Sequence, residues 1–302
     1  MIPLPSLQQL RFLSALAEER HFGRAAESCA VTQSTLSAGL KELEERLGVV
    51  LVERTRRRVM LTPIGEEIVE RGRRLLRDAT ELADAAHAGQ ELLAGPLRLG
   101  VIPTIAAYLV PEVIPGLNRQ FPKLRLYLRE EQTASLLSKL ESGQLDLALI
   151  ALPYAVGEFE TMVLGQDRIL LALPETHRLA QMTRVDTAEL AREELLLMED
   201  GHCLRSHALQ ACRLAGPGRN EVFQGTSLRT VLHMAAGGIG ITLVPEMAVP
   251  SEITPESRLV TRPLKGNPSR SIALVWRCSS ARKHEFRRLG EYFKEVLAAR
   301  RG

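Results

Sequence analysis

The sequence predicts a multi-domain α/β chain: a winged helix-turn-helix over residues 1–62, a long linker helix over 63–95 and a two-lobed α/β domain over 96–302. Three observations carry this reading. Short helical stripes with capping residues fill the first 47 positions. One uninterrupted helical pattern then runs from Pro63 to about Gln90. Beyond Gly95-Pro96 the pattern changes to strands alternating with helices, which implies parallel βαβ units.

Leu7, Leu10, Phe12, Leu13 and Leu16 give one apolar face to a helix from Ser6 to Glu19. His21-Phe22-Gly23 breaks it, and Ala25, Ala26 and Cys29 mark a second short helix. The third helix runs from Gln33 to Leu47, with Thr32 as N-cap, Leu36, Leu40, Leu43 and Leu47 facing inward, and Gly48 as its stop. Its exposed start carries Gln33, Ser34, Thr35 and Ser37, with Lys41 one turn further. These hydrogen-bonding side chains can reach base edges or phosphates, so they are candidates for contacting double-stranded DNA. Val49-Val50-Leu51-Val52 and Val59-Met60-Leu61 read as the two strands of a wing, whose tip sets Arg54, Arg56, Arg57 and Arg58 against phosphate or the minor groove. Residues 1–95 hold 13 Lys+Arg against 14 Asp+Glu, so the electrostatic case rests on that arginine cluster alone.

The linker helix puts Ile64, Ile68, Leu75, Leu82 and Ala86 among its apolar positions. About 28 residues span ~40 Å, too long a stripe for a small domain to cover. Pairing with a second copy, in coiled-coil fashion, would cover it; packing on its own chain is the competing reading.

In the α/β domain, lobe I is assigned residues 96–165 plus 270–302, and lobe II 166–269. Strands are expected at Leu97–Ile102, Leu124–Leu128, Asp146–Ala151, Ile169–Leu173, Leu195–Met198, Val222–Gln224, Gly240–Val244 and Arg270–Arg277. Helices are expected at Ala106–Phe121, Thr133–Ser142 and Lys283–Ala299. Ligands in such sheets bind at strand C-terminal ends, which nominates Thr104, Thr133, Thr226 and Ser227 for the cleft. Helix capping is the competing role for each hydroxyl.

The most chemically loaded stretch is Gly201 to Cys212, with two thiols, His202, His207 and Arg205. Asp200 reads as an N-cap, and Leu204 to Leu214 as a helix ended by Gly216-Pro217. Cys203 then lies in the first turn, where the helix dipole, Arg205 and His202 favour thiolate. Nine helical residues rise ~13 Å, whereas a disulfide needs Cα atoms within ~7 Å, so pairing of Cys203 with Cys212 requires the helix to unwind. Three readings stand at this point: a redox pair, two inert buried thiols, or a metal site using Cys203 and His207.

Composition narrows the classes. A net charge of +3 does not by itself call for nucleic acid. No window of some 18 uncharged apolar residues exists, which excludes a helical membrane span. The first residues show no basic region followed by an apolar run, so no export signal is expected and the four cysteines belong in a reducing cytoplasm. A disulfide formed there is transient. Cys29 and Cys278, in apolar patterns, are expected to pack.

Ala25-Ala26, Val31-Thr32-Gln33-Ser34-Thr35-Leu36-Ser37, Leu43-Glu44, Leu47-Gly48, Leu51-Val52-Glu53-Arg54 and Leu61-Thr62-Pro63-Ile64-Gly65 resemble the N-terminal signature of the LysR-type bacterial transcription regulators. Gly201-His202-Cys203-Leu204-Arg205 followed by Cys212 is similar to the redox segment of that family's hydrogen peroxide sensors. Ile102-Pro103-Thr104, Glu131-Gln132-Thr133, Thr226-Ser227-Leu228 and Gly240-Ile241-Thr242-Leu243-Val244-Pro245 also match. The resemblance covers essentially the whole chain. It implies a periplasmic-binding-protein-like sensor domain, with Cys203 as the peroxidatic thiol and Cys212 as the resolving one. It implies a peroxide pocket drawn from Thr104, Thr133, His202, Arg205 and Arg270. It further implies no cofactor, no metal and no enzymatic turnover. The expected partners are double-stranded DNA at near-palindromic promoter sites, hydrogen peroxide, RNA polymerase, a thiol reductant, and further copies in a homodimer or homotetramer. The competing implication is a small carboxylate effector in the inter-lobe cleft, with the cysteines incidental.

Overall fold

The computed structural model describes residues 4–54, 59–87, 92–211 and 224–300. The chain forms two compact units, Met1–Gln90 and Glu91–Gly302.

The first unit contains α1 (Leu7–Glu19), α2 (Phe22–Ser28), α3 (Gln33–Leu47), β1 (Val52–Arg54), β2 (Val59–Leu61) and α4 (Pro63–His87). Each helix start has a chemical cause. Ser6 and Gln9 form a reciprocal capping box on α1. The His21 imidazole accepts from Gly23 and Arg24 N–H on α2, and Thr32 accepts from Thr35 N–H on α3. Leu13, Leu36, Leu40, Leu43 and Leu51 make the core, and Cys29 packs in it as expected. Glu44 Oε1 accepts from Leu51 N at 2.8 Å and Val52 N at 3.0 Å, pinning the wing onto α3. β1 therefore begins at Val52 rather than Val49, because the intervening residues are used in leaving the helix: Gly48 and Val49 N–H both return to the Glu44 carbonyl.

The start of α4 packs on its own chain. Val69 enters the core, Gly72 lies against Leu10, and Arg73 pairs with Glu18 at 3.2 Å. Further along, Leu75 and Leu82 stay 51% and 75% exposed, so that part of the stripe is uncovered within one chain. Arg56, Arg57 and Arg58, the side chain of Arg54 and residues 88–90 lie outside the described residues.

The second unit runs β3 (Gly95–Val101), α5 (Pro103–Gln120), β4 (Leu124–Glu130), α6 (Thr133–Glu141), β5 (Leu147–Leu152), β6 (Phe159–Pro174), α7 (Thr187–Leu190), β7 (Leu195–Met198), α8 (Cys203–Ala211), β8 (Gln224–Gly225), α9 (Leu228–Ala236), β9 (Ile241–Pro245), α10 (Val249–Glu252), β10 (Leu259–Pro263), β11 (Ser269–Arg277) and α11 (Lys283–Ala299). The strands join in one mixed sheet, ordered β4-β3-β5-β11-β6-β9-β7-β8, with β10 on β6. β6 is the crossing strand. It pairs antiparallel with β11 over Phe159–Arg168, then with β9 and β10 beyond Ile169. Sequence reading finds only its apolar end, because Phe159–Arg168 alternates in burial and shows no apolar run. The larger core fills the β3–β5 side and α11 and continues through Met198, Cys203, Leu204 and Val231, and a smaller one gathers around Leu171, Leu173 and Leu243. Arg282 and Glu285, both buried, pair at 3.0 Å, and Glu285 also accepts from Leu93 N–H, fastening the entry strand to α11.

Cys278 corrects an expectation. It lies just past β11, is exposed, and donates to the Glu158 carbonyl rather than packing in an apolar strand. Among the described residues no helix is long and apolar enough to cross a membrane.

Candidate functional site: a buried thiol where three helices begin

Thr104, Thr133 and Cys203 come from distant parts of the chain, yet each stands at the start of a helix. Thr104 is in the first turn of α5, directly after β3, where Pro103 suits the helix start. Thr133 opens α6 after β4, and Cys203 opens α8 after β7. Their helix N-termini line one small pocket, shared with Gln132, Gly201, His202 and Leu204. Gly201 is required there: its φ is +94°, and a Cβ would lie 2.5 Å from the Gln132 side-chain oxygen. The free volume is about 10 Å³, the space of about one small molecule such as water.

Cys203 is buried. Burial pushes its thiol pKa up, against the lowering influence of Arg270, the Thr133 hydroxyl and the backbone N–H groups of Cys203 and Leu204. The helix start does act in the expected direction, but desolvation outweighs it. Arg205, expected in the pocket, has partners beside it. Its guanidinium is turned to Asp200, at 2.9 Å, and to the Met198 carbonyl, at 3.4 Å, outside the pocket lining. Asp200 is thus an ion-pair partner and not the N-cap, since α8 begins at Cys203.

Arg270 is fully buried and holds the site together. Its Nε donates to Asp167 Oδ2 at 2.9 Å, its Nη1 to Thr104 Oγ1 at 2.7 Å and its Nη2 to the Thr104 carbonyl at 3.0 Å. Asp167, equally buried, also accepts from Met247 N–H at 3.0 Å. Sequence reasoning missed Asp167. Its signal was the strand pairing, in which Asp167 on β6 faces Arg270 on β11. Thr133 Oγ1 is buried and meets no hydrogen-bond geometry with a described partner, although it lies close enough to act on the Cys203 sulfur. Two hydroxyls therefore have donor capacity beside the thiol.

His202 borders the pocket, 3.8 Å from Glu199. His207, one turn after Cys203, is buried, and its Nε2 donates to the Pro153 carbonyl at 2.8 Å. A carbonyl only accepts, so Nε2 carries the proton and the buried Nδ1 is an unpartnered acceptor. Burial lowers the pKa of this imidazole, with the nearby Arg270 adding to the shift.

Other sequence candidates fall elsewhere. Ser227 caps α9 by accepting from Thr230 N–H, and Thr226 beside it is exposed; neither lines the thiol pocket. Cys212 and Gly216-Pro217 lie outside the described residues, as does Val222. No group of three or more His, Cys, Asp or Glu suited to a metal occurs among the described residues. In the first unit, Gln33, Ser34, Thr35 and Lys41 are exposed on the first turns of α3, and Ser37 is half-buried. Ser34 and Thr35 hydroxyls also bond Thr32 Oγ1, at 2.9 and 2.8 Å.

Two family models match the chain. One, described as the bacterial regulatory helix-turn-helix protein of the lysR family, covers residues 7–66; the other, the LysR substrate binding domain, covers 90–298. The chain is 42% identical over 292 residues to a "Hydrogen peroxide-inducible genes activator" of Dickeya chrysanthemi, covering 97% of this chain and 96% of that one. It is 43% identical over 286 residues to the "DNA-binding transcriptional dual regulator OxyR" of Escherichia coli K12, covering 95% and 94%. Among solved structures, a full-length OxyR variant from Pseudomonas aeruginosa aligns with a TM-score of 0.79 at 36% identity, covering 97% of this chain and 95% of that one.

Proposed function

The chain belongs to the LysR family of bacterial helix-turn-helix regulators, and from that premise we propose that it is a cytoplasmic DNA-binding transcription regulator that senses hydrogen peroxide through Cys203. The observation that carries the reading is the pocket: a buried thiol, three helix N-termini, two hydroxyls with donors to give, and room for a water-sized guest. The peroxide-related names of its relatives agree with it.

The chemistry follows from the groups present. Peroxide enters beside Cys203, and Thr104 and Thr133 donate to its oxygens. The thiol loses its proton, and the sulfur attacks one oxygen. The O–O bond breaks, and hydroxide departs and is protonated to water. Helix N-termini favour the negative charge in both sulfur and leaving oxygen. Cys203 is left as a sulfenic acid. The Cys212 thiol then attacks that sulfur, expelling a second water and forming the Cys203–Cys212 disulfide. Since α8 is helical from Cys203 to Ala211, bond formation unwinds it and releases the His207 contact to Pro153. The altered lobe shifts the subunits, and with them the spacing of paired α3 helices on a near-palindromic promoter site read by RNA polymerase. A cellular thiol reductant resets the protein. Pairing of α4 through Leu75 and Leu82 supplies the dimer on which a tetramer can be built.

Gln33, Ser34, Thr35, Ser37 and Lys41 read the DNA, with Arg54, Arg56, Arg57 and Arg58 on the flanking backbone. The small space beside Cys203 suits a peroxide better than a carboxylate, whose alternative place is the inter-lobe cleft. Footprinting on the protein's own promoter tests the proposal. Dilute peroxide should change the wild-type footprint, with mass spectrometry placing oxygen or a disulfide on Cys203, and should leave Cys203→Ser unchanged. A peroxide response that persists in Cys203→Ser removes the assignment.

A further inference from the structure

His207 occupies a place where an apolar side chain would suit the helix better. It lies on the buried side of α8 with Cys203 and Leu204. Its Nε2 donates to the carbonyl of Pro153, 54 positions earlier, in the connection from β5 to the crossing strand β6. That bond ties α8, one turn past the thiol, to a distant segment. The other ring nitrogen, Nδ1, is buried without a partner. β7 and β11 pack on α8, and β7 brings no titratable group. On β11, Arg270 is held by Asp167 and Thr104, and Arg277 by the Leu140 and Leu145 carbonyls. The connection carries Tyr154 and Glu158, both exposed, and α8 itself carries Cys203 and Arg205. A protonated ring would add a second cation near Arg270 and an N–H with no acceptor among the described residues.

We propose that His207 is a positioning residue for disulfide formation: neutral, it holds α8 in place, and as α8 unwinds it takes a proton from solvent, so that the resolving step is coupled to proton uptake. This rests on the peroxide reading above and deepens its second step. The atoms balance without a further reactant. The Cys203 sulfenic acid and the Cys212 thiol give the disulfide and water, and the imidazole gains one proton from the medium. Burial is what keeps the folded ring neutral, and unwinding ends that burial, returning the ring to its ordinary 6.5. Below that pH the unwound segment binds a proton that the helix refuses, so acid favours the disulfide. Above it the coupling vanishes. Acidity therefore strengthens the peroxide signal, which neither a buried leucine nor a glutamine at this position could do.

Rapid-quench mass spectrometry of the full-length protein after equimolar peroxide tests it, counting Cys203 sulfenic acid and Cys203–Cys212 disulfide over time at about pH 7.5 and about pH 5.5. His207→Gln keeps a donor for Pro153 but cannot titrate. The ratio of wild-type to His207→Gln rates cancels what pH does to the Cys212 thiol. For disulfide formation that ratio should rise severalfold, up to about tenfold, on going to the lower pH. For sulfenic acid formation it should not move. His207→Met, a good helix former with no titrating group, should give the same profile as His207→Gln and serves if either variant fails to fold. A ratio for disulfide formation that is flat with pH, or one that moves equally for both steps, overturns the role of His207 and leaves peroxide sensing standing. Sulfenic acid that never proceeds to the disulfide does the same. A wild-type Cys203 that forms no sulfenic acid overturns the peroxide reading, and the coupling with it.

Discussion

Arg270 Nη1 donates to Thr104 Oγ1 at 2.7 Å, and this bond decides where the Thr104 proton goes. Arginine has no lone pair to accept it, so the hydroxyl has its hydrogen to give to another acceptor. Thr133, in the same pocket, acts on the Cys203 sulfur through its hydroxyl and is the second donor there. Replacing either by valine keeps the shape and removes the donor. Thr104→Val and Thr133→Val should each slow the reaction of Cys203 with hydrogen peroxide by about tenfold or more, measured by stopped flow under pseudo-first-order conditions. Thr104→Ser should retain most of the rate. Unchanged rates in both valine variants would mean that these hydroxyls do not touch the oxidant.

Asp167 is the counter-charge of a fully buried guanidinium. Removing one partner of such a pair leaves an uncompensated charge, at a cost of about 3–5 kcal/mol. Asp167→Ala should therefore lower the urea midpoint well beyond the effect of an ordinary surface substitution, and Asp167→Asn, which keeps one acceptor, should do less. A midpoint within experimental error of the wild type would show that Arg270 finds another partner.

Two buried groups set opposite pH behaviour. Burial raises the Cys203 pKa, so its alkylation rate should keep climbing with pH above the range of an ordinary thiol, and Thr133→Val should move that profile further up. Burial lowers the pKa of His207 from its ordinary 6.5. The unfolded chain then takes up a proton near pH 6.5 that the folded chain refuses. The stability contributed by neutral His207 is complete above that pH and is lost as pH falls through the lower folded value. His207→Gln, which can still donate to the Pro153 carbonyl, should flatten the loss of stability below pH 6.5 in urea titrations at several pH values. The same slope in wild type and variant would place the titrating group elsewhere.

Much of this was legible in the sequence because local chemistry dictated it. Thr32 and Gly48 mark the ends of α3, and β7 and α11 fall where their apolar patterns place them. Thr104, Thr133 and Cys203 were legible as well, since each follows a strand and opens a helix. What could not be read was pairing at a distance. Asp167 looks like any charged residue until β6 is extended back to Phe159 and laid against β11. Nor does spacing reveal that Arg205 turns to Asp200 while Arg270, 65 positions on, serves the site. The thiol's raised pKa escaped notice for a related reason: a helix start is visible in sequence, whereas burial is a property of the whole fold.

Leu75 and Leu82 on α4 are exposed in a single chain although they continue an apolar stripe. If that stripe is the subunit contact, Leu75→Asp with Leu82→Asp should yield monomers in sedimentation equilibrium and weaken binding to a two-half-site operator far more than to one half-site. A double variant that still sediments with the wild type would place the contact on another surface.

Hydrogen exchange across α8 is the most direct test of the claim that sensing is a conflict between helix and sulfur–sulfur bond. Reduced protein should protect the amides following Arg205 up to Ala211. After equimolar peroxide, peptide mapping should show Cys203 bonded to Cys212 and the same amides should exchange freely. A mapped Cys203–Cys212 bond with α8 protection unchanged would contradict the account, as would a Cys203 left unmodified by peroxide.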